Sequence, residues 1–373
     1  MSRPHRKANR MGKLLTMNDD EDFINGVVYG KSGTGKTTIG VSSPQPFILL
    51  SERQGYRSVR DAARNLGKEI PPVLFIENIA DLRACIRALN AGGDEPIAVA
   101  LREVLLNNKR DAKGELVEPT DADRQEVERQ IAALPYLRPK TLVLDSVTDF
   151  FVLISDDILE GMGFPKSSTD GLEIKPERYW GLLKDRSERL LRTFRDSPYH
   201  IIFLCLLDER EVGNDEQKTR LVGPDTPMRK LPGTLVAASN FCGLAYVEQQ
   251  VVKDSETEAL NYEHTWRVRL AGPSWMTLKP IKPLREVEDP DLSEWFARIQ
   301  AQDSAAQDEY HQTHPEPAQD SESDEPSEDQ SAESADASDP ASTNGAAGTE
   351  GSAEKQPGTG TTGGRRRRSR AQV

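Results

Sequence analysis

Gly30-Lys31-Ser32-Gly33-Thr34-Gly35-Lys36-Thr37 fits the spacing G-x-x-x-x-G-K-[ST]. The residues just before it, 24–29, are a short apolar run, and those after it, 36–42, have a helical pattern stopped by Pro44 and Pro46. A strand, a glycine-rich turn and a helix in that order form a cradle for phosphates. The glycines let the backbone curl so that several N–H groups face inward, and the helix brings its positive end to the same place. The sequence therefore predicts a nucleoside triphosphate held by Gly30, Lys31, Ser32, Gly33, Thr34, Gly35, Lys36, Thr37 and Thr38. Lys36 would reach the β- and γ-phosphates, and Thr37 would coordinate Mg²⁺. No guanine-reading motif accompanies the loop, and ATP is taken as the nucleotide.

Further along, apolar strand patterns occur at 47–50, 73–76, 141–144 and 200–206. Helical spacing occurs at 79–89 and again in Trp180, Leu183, Leu190, Leu191 and Phe194. Strands alternating with helices predict an α/β fold with a mostly parallel central sheet flanked by helices. Tyr262, His264, Trp266, Val268 and Leu270 alternate with polar residues, as in a strand with one wet face, and pair with 243–252 in an antiparallel edge hairpin. A closing helix is expected at 291–299. The polar stretch 91–140 is longer than an ordinary connection and is taken as a helical insertion.

Two carboxylates complete the chemistry. Leu142-Val143-Leu144-Asp145 reads as a strand, expected beside the P-loop strand, that ends in the acid of the Mg²⁺ shell, so Thr37 and Asp145 form the metal set. The residue after Asp145 is Ser146, where many P-loop ATPases carry a water-orienting Glu. Hydrolysis then needs a carboxylate from another strand. The strand at 47–50 is followed by Ser51-Glu52, and if it neighbours the P-loop strand, Glu52 projects toward the γ-phosphate from the same sheet edge. Lys36 and Glu52 are thus the catalytic candidates.

With these residues in place, the chain resembles the RecA-like ATPases, and within them the phage Sak-type recombination and single-strand annealing group. The matching features are the P-loop, the short gap from Lys36 to Glu52, Ser51-Glu52-Arg53-Gln54-Gly55, Asp145-Ser146-Val147-Thr148-Asp149, the Trp180 helix, the strand before Asp208-Glu209-Arg210, and Leu231-Pro232-Gly233. The likeness covers about residues 25–299. The departures are the insertion, the acidic tail, and Arg53-Gln54 in place of a simpler Glu-Gly turn. The resemblance implies ATPase activity stimulated by single-stranded DNA, a homo-oligomer, and two DNA-binding loops at 161–175 and 208–231. The first carries Phe164 and Lys166; the second carries Arg210, Lys218, Arg220, Arg229 and Lys230, interleaved with acidic residues. Cations would follow the phosphate backbone, and an aromatic would stack on a base. Arg229 or Lys230 would alternatively reach a neighbouring subunit's γ-phosphate. Two further readings stay open: another P-loop motor or helicase loader, and a nucleotide-gated DNA-binding adaptor with little turnover.

Composition bounds the rest. Of a net charge of −13 over 373 residues, −9 lies in residues 301–373, which hold 15 acidic and 6 basic residues and only one aromatic, Tyr310. Such a segment cannot offset the entropy of ordering. The organisation expected is a basic disordered N-terminus at 1–20, an ATPase domain at 21–300, and a disordered acidic tail at 301–373 with an Arg-rich end. The tail is read as solubilising, as a docking segment for a protein partner, or as a mimic of DNA. Cys85, Cys205 and Cys242 are widely spaced in apolar contexts, as in reduced thiols. No apolar run approaches the ~18 residues of a membrane span. A cytoplasmic protein is expected, in the host cytoplasm if phage-encoded, with no membrane partner.

Overall fold

A computed structural model describes residues 23–313, apart from Gly92, Asn108, 112–114, 164–176, 213–218 and 254–259. The expectations for 1–20 and for the tail beyond Thr313 lie outside the described residues. In chain order the elements are β1 (Asn25–Gly30), α1 (Lys36–Ser42), β2 (Pro46–Leu50), α2 (Gly55–Asn65), β3 (Val73–Phe75) and α3 (Ile79–Asn90). Next come α4 (Pro96–Leu105), α5 (Asp121–Ala132), β4 (Thr141–Asp145), α6 (Val147–Gly161), α7 (Glu177–Arg195) and β5 (His200–Val212). The chain then forms β6 (Thr219–Pro224), α8 (Leu231–Ala237), β7 (Phe241–Lys253), β8 (Leu260–Arg269), β9 (Val287–Glu288) and α9 (Leu292–Thr313).

The central sheet runs β3-β2-β4-β5-β1-β7-β8-β9, with β6 paired to β5 off this path. Neighbours from β3 to β7 are parallel, while β8 and β9 are antiparallel. This is the expected α/β class, with the expected antiparallel hairpin β7–β8. The inner strands are apolar along the stretches where both faces are covered. Val27, Tyr29, Leu142, Leu144, Ile201 and Phe203 face one core, shared with α3, α6 and α7. Val28, Ile48, Val143, Ile202 and Leu204 face the other, shared with α1, α2 and α9.

Four features differ from the sequence-based reading. The strand ending at Asp145 is not beside the P-loop strand: β5 lies between β4 and β1. Nor does β2 neighbour β1, since β4 and β5 separate them. A run of apolar residues pairs equally well with any other run, so local pattern does not carry strand order. The stretch expected as a second loop is largely a hairpin, because Leu207–Val212 continue β5 and pair with Thr219–Pro224. The closing helix runs to Thr313, so the boundary placed at 300 falls inside α9.

The alternation in β8 also splits. Val268 and Leu270 are fully buried, but Tyr262, His264 and Trp266 on the same face are exposed. They lie where the hairpin extends past the end of β1. In α7, Tyr179 and Phe194 are the buried aromatics, and Trp180 is 39% exposed. The three cysteines are free and buried. Among the described residues no helix is long and apolar enough to cross a membrane.

Candidate functional site: a nucleotide cleft at the sheet edge

β1, β2, β4 and β5 run parallel, so their carboxyl ends open on one edge of the sheet, where ligands of open α/β sheets bind. A cleft of about 720 Å³ lies there, lined by the P-loop, the first turn of α1, and the ends of β2 and β4. Gly33 and Gly35 have φ of 80° and 81°, the left-handed region that glycine adopts without a Cβ penalty. Gly35 is the N-cap of α1. The N–H groups of the following first turn have no intrahelical acceptor.

Lys36 is the buried cation of the site. Its Nζ donates to the carbonyl oxygens of Gly30 and Lys31, both at 2.8 Å. Burial lowers its pKa, and the charge of Asp145 opposes that shift. Thr37 Oγ1 donates to Asp145 Oδ2 at 2.7 Å. Burial raises the Asp145 pKa; the Thr37 hydrogen bond and Lys36 lower it, while Asp149 and Glu52 raise it further. A hydroxyl and a carboxylate side by side are hard oxygen donors of the kind Mg²⁺ takes. A buried carboxylate disfavoured as an anion is a group that a bound cation would stabilise. The residues present therefore fit the metal.

Glu52 reaches this cleft by a different route from the one its sequence suggests. The end of β2 lies beyond β4, and Ser51 N donates to the Asp145 carbonyl at 3.1 Å. That bond places Glu52 on the cleft wall, on the far side of Asp145 from the P-loop. Adjacent strands are about 4.8 Å apart. Side chains from strands that are not neighbours therefore meet across one cavity.

Ser146, in the position where many P-loop ATPases carry Glu, has a structural use. It is the N-cap of α6, and its side chain accepts from Asp149 N at 3.4 Å. Asp149 Oδ2 also accepts from Ser51 Oγ at 3.0 Å and from the Ser146 hydroxyl. Ser51 and Asp149 thus brace the end of β2 against the segment that follows β4. The sequence signal for the cap is S-x-x-D at 146–149, a capping pattern. Thr148 Oγ1 accepts from Leu206 N at 3.1 Å and donates to Asp225 O at 3.2 Å, linking α6 to β5 and to the segment before α8.

The nucleic-acid candidates are dispersed. Phe164, Lys166 and Lys218 lie outside the described residues. Arg210 and Arg220 lie on the β5–β6 hairpin and are ion-paired, to Asp208 and Glu209 respectively. Glu209 also faces Lys31 of the P-loop at 3.5 Å. Arg229 and Lys230 are exposed at the start of α8.

The AAA domain family model matches residues 22–233, which hold the P-loop, Glu52, Asp145 and the β5–β6 hairpin. The chain belongs to the AAA domain family. No curated protein matches it. Among solved structures it is similar to the flagellar accessory protein FlaH from Methanocaldococcus jannaschii. The identity is 8%, over 65% of this chain and 77% of that one, with a TM-score of 0.23. The AAA domain here is a P-loop ATPase module of α/β fold, and the β7–β8 hairpin lies beyond its matched stretch.

Proposed function

We propose that this AAA domain protein binds and hydrolyses ATP to act on single-stranded DNA in recombination or annealing, as a homo-oligomer, in the manner of the phage Sak-type ATPases. The observation that carries the catalytic part is the meeting of Lys36, Thr37, Asp145 and Glu52 in one cleft. The DNA part rests on the sequence resemblance and on the exposed cations Arg229 and Lys230.

In this reading, Thr37 and Asp145 hold Mg²⁺, which when bound neutralises charge on the β- and γ-phosphates. Lys36 exchanges the carbonyls of Gly30 and Lys31 for phosphate oxygens. Glu52 orients a water on the γ-phosphorus and accepts its proton as the new P–O bond forms. The bond from the γ-phosphorus to the bridging oxygen breaks, giving ADP and phosphate.

The test is ATP hydrolysis with and without single-stranded DNA, for the wild type, Lys36→Ala and Glu52→Gln. Single strands are expected to stimulate the wild type, and Lys36→Ala to lose nearly all activity. Glu52→Gln is expected to bind ATP without turning it over. Normal turnover in Glu52→Gln would remove Glu52 from the mechanism. Absence of single-strand binding at low salt would overturn the DNA reading and leave the ATPase standing.

A further inference from the structure

Trp266 is the only aromatic residue lining the nucleotide cleft among the described residues. It lies on β8, outside the matched AAA domain. Its position follows from register. Tyr29 of β1 pairs with Leu244 of β7, and β7 continues three residues to Val247, the partner of Trp266. At about 3.3 Å per residue, the hairpin carries Trp266 roughly 10 Å past Tyr29, to the level of the P-loop.

The indole rests against the loop itself. A Cβ on Gly35 would lie 2.9 Å from Trp266 Cδ1, so the ring packs directly on the glycine and would have to shift for any larger residue. Yet 47% of Trp266 is exposed, although tryptophan is highly buried on average. The rest of the cleft wall is polar or aliphatic, and its phosphate end is defined by Lys36, Thr37 and Asp145. A half-open indole against the glycine that starts α1 is a flat apolar surface with space in front of it.

We propose that Trp266 is the platform on which the base of the bound nucleotide stacks, so that the β7–β8 hairpin completes the nucleotide site. This rests on the reading of the P-loop as a nucleotide site. Stacking uses the π-face, which every base has, and its strength grows with ring area. The platform therefore favours purine over pyrimidine nucleotides and does not separate adenine from guanine.

The test is isothermal titration of the full chain with MgATP, MgCTP and magnesium tripolyphosphate, which has no base. Trp266→Leu is expected to weaken ATP about tenfold, the low end of what one stacked base contributes. It should leave tripolyphosphate unchanged and remove the preference for ATP over CTP. Lys36→Ala should lose all three ligands. Unchanged ATP affinity in Trp266→Leu would overturn the proposal, including the case where the indole instead contacts a second copy of the chain. Equal losses of ATP and tripolyphosphate would overturn it too, as a structural effect. If the wild type binds neither ATP nor tripolyphosphate, the P-loop reading itself falls. Tryptophan emission gives a second readout that does not depend on Trp266→Leu folding. ATP, but not tripolyphosphate, should change the emission, and Trp266→Phe should abolish that change while retaining ATP binding. Persistence of the change in Trp266→Phe would overturn the proposal.

Discussion

Thr37 Oγ1 donates a 2.7 Å hydrogen bond to Asp145 Oδ2, joining the first turn of α1 to the end of β4 across β5. This contact brings the P-loop and the second acidic strand into one site. It also holds a carboxylate in a place where burial disfavours its charge.

The energetic consequence is measurable at Asp145. Its pKa is raised, chiefly by burial, so in the ligand-free fold its ionisation works against stability once the pH is above the ordinary carboxylate value of 3.8. Asp145→Asn removes that charge and its repulsion with Asp149 and Glu52. Without ligand at pH 7, the variant should melt at or above the wild-type temperature. Added MgATP should raise the melting temperature of the wild type and not that of the variant. Calorimetry with and without MgATP checks both; a ligand-dependent rise in Asp145→Asn would remove Asp145 from the metal shell.

His200 predicts a pH dependence of stability. It is buried between Phe23 and Phe296, and its Nδ1 accepts from Ile24 N at 2.9 Å, so the neutral ring is the one that fits. Burial, assisted by Lys140, lowers its pKa from 6.5 to about 4. Between those values the unfolded chain binds the extra proton, so stability falls as the pH drops from 6.5 toward 4 and is flat above 6.5 on this account. The loss at pH 5 is about 2 kcal/mol. His200→Asn should be less stable at pH 7 but show a shallower slope of stability against pH below 6.5. Urea titrations at several pH values read the slope directly, and an unaltered slope would assign the titration elsewhere.

Glu288 ties α9 to the sheet edge. It is 1% exposed and accepts from Arg285 N, Arg285 Nη2, Arg298 Nη1 and Arg298 Nη2 at 2.6 to 3.1 Å. Burial raises its pKa, but the hydrogen bonds from Arg298 and Arg285 outweigh it and hold the value at about 2. A lowered carboxylate contributes stability above its unfolded value of 4.5 and loses it as the pH falls toward 2. Glu288→Gln should cost about 2 kcal/mol at pH 7, below the ~3–5 kcal/mol of a fully buried pair because Arg285 is exposed. The difference from wild type should shrink below pH 4 in chemical denaturation.

Gly26 tests how tightly the P-loop strand is packed. It pairs with Phe241 of β7, and a Cβ there would lie 2.1 Å from Phe241 Cζ. Gly26→Ala should cost about 1–3 kcal/mol, the usual range for overpacking a core. Adding Phe241→Leu should recover part of the loss, so that the double variant is more stable than the sum of the single changes. Strict additivity in thermal unfolding would place the strain elsewhere.

The extent to which these features are legible in sequence follows from how local each one is. The run at β1, its glycine-rich turn and α1 are contiguous, and so they read directly. The apolar strand ending at Asp145 is legible in sequence, but its sheet neighbour is not, because β5 enters between β4 and β1. α2 carries little apolar signal because its buried face is only Val59, Ala62 and Ala63. The β5–β6 hairpin was hidden because Glu209, Arg210 and Arg220 make its strands look like a charged loop, whereas the charges pair with one another.

The sequence by itself determined the phosphate loop and the α/β class. A P-loop is set by φ angles and side chains within eight consecutive residues, and strands covered on both faces must be apolar throughout. Only the tertiary structure decided which strand stands beside which, how Glu52 comes to share a cleft with Asp145, and that Trp266 leans on Gly35. Those relations join segments far apart in the chain. They are set by packing and backbone pairing across the sheet, which no local pattern of residues specifies.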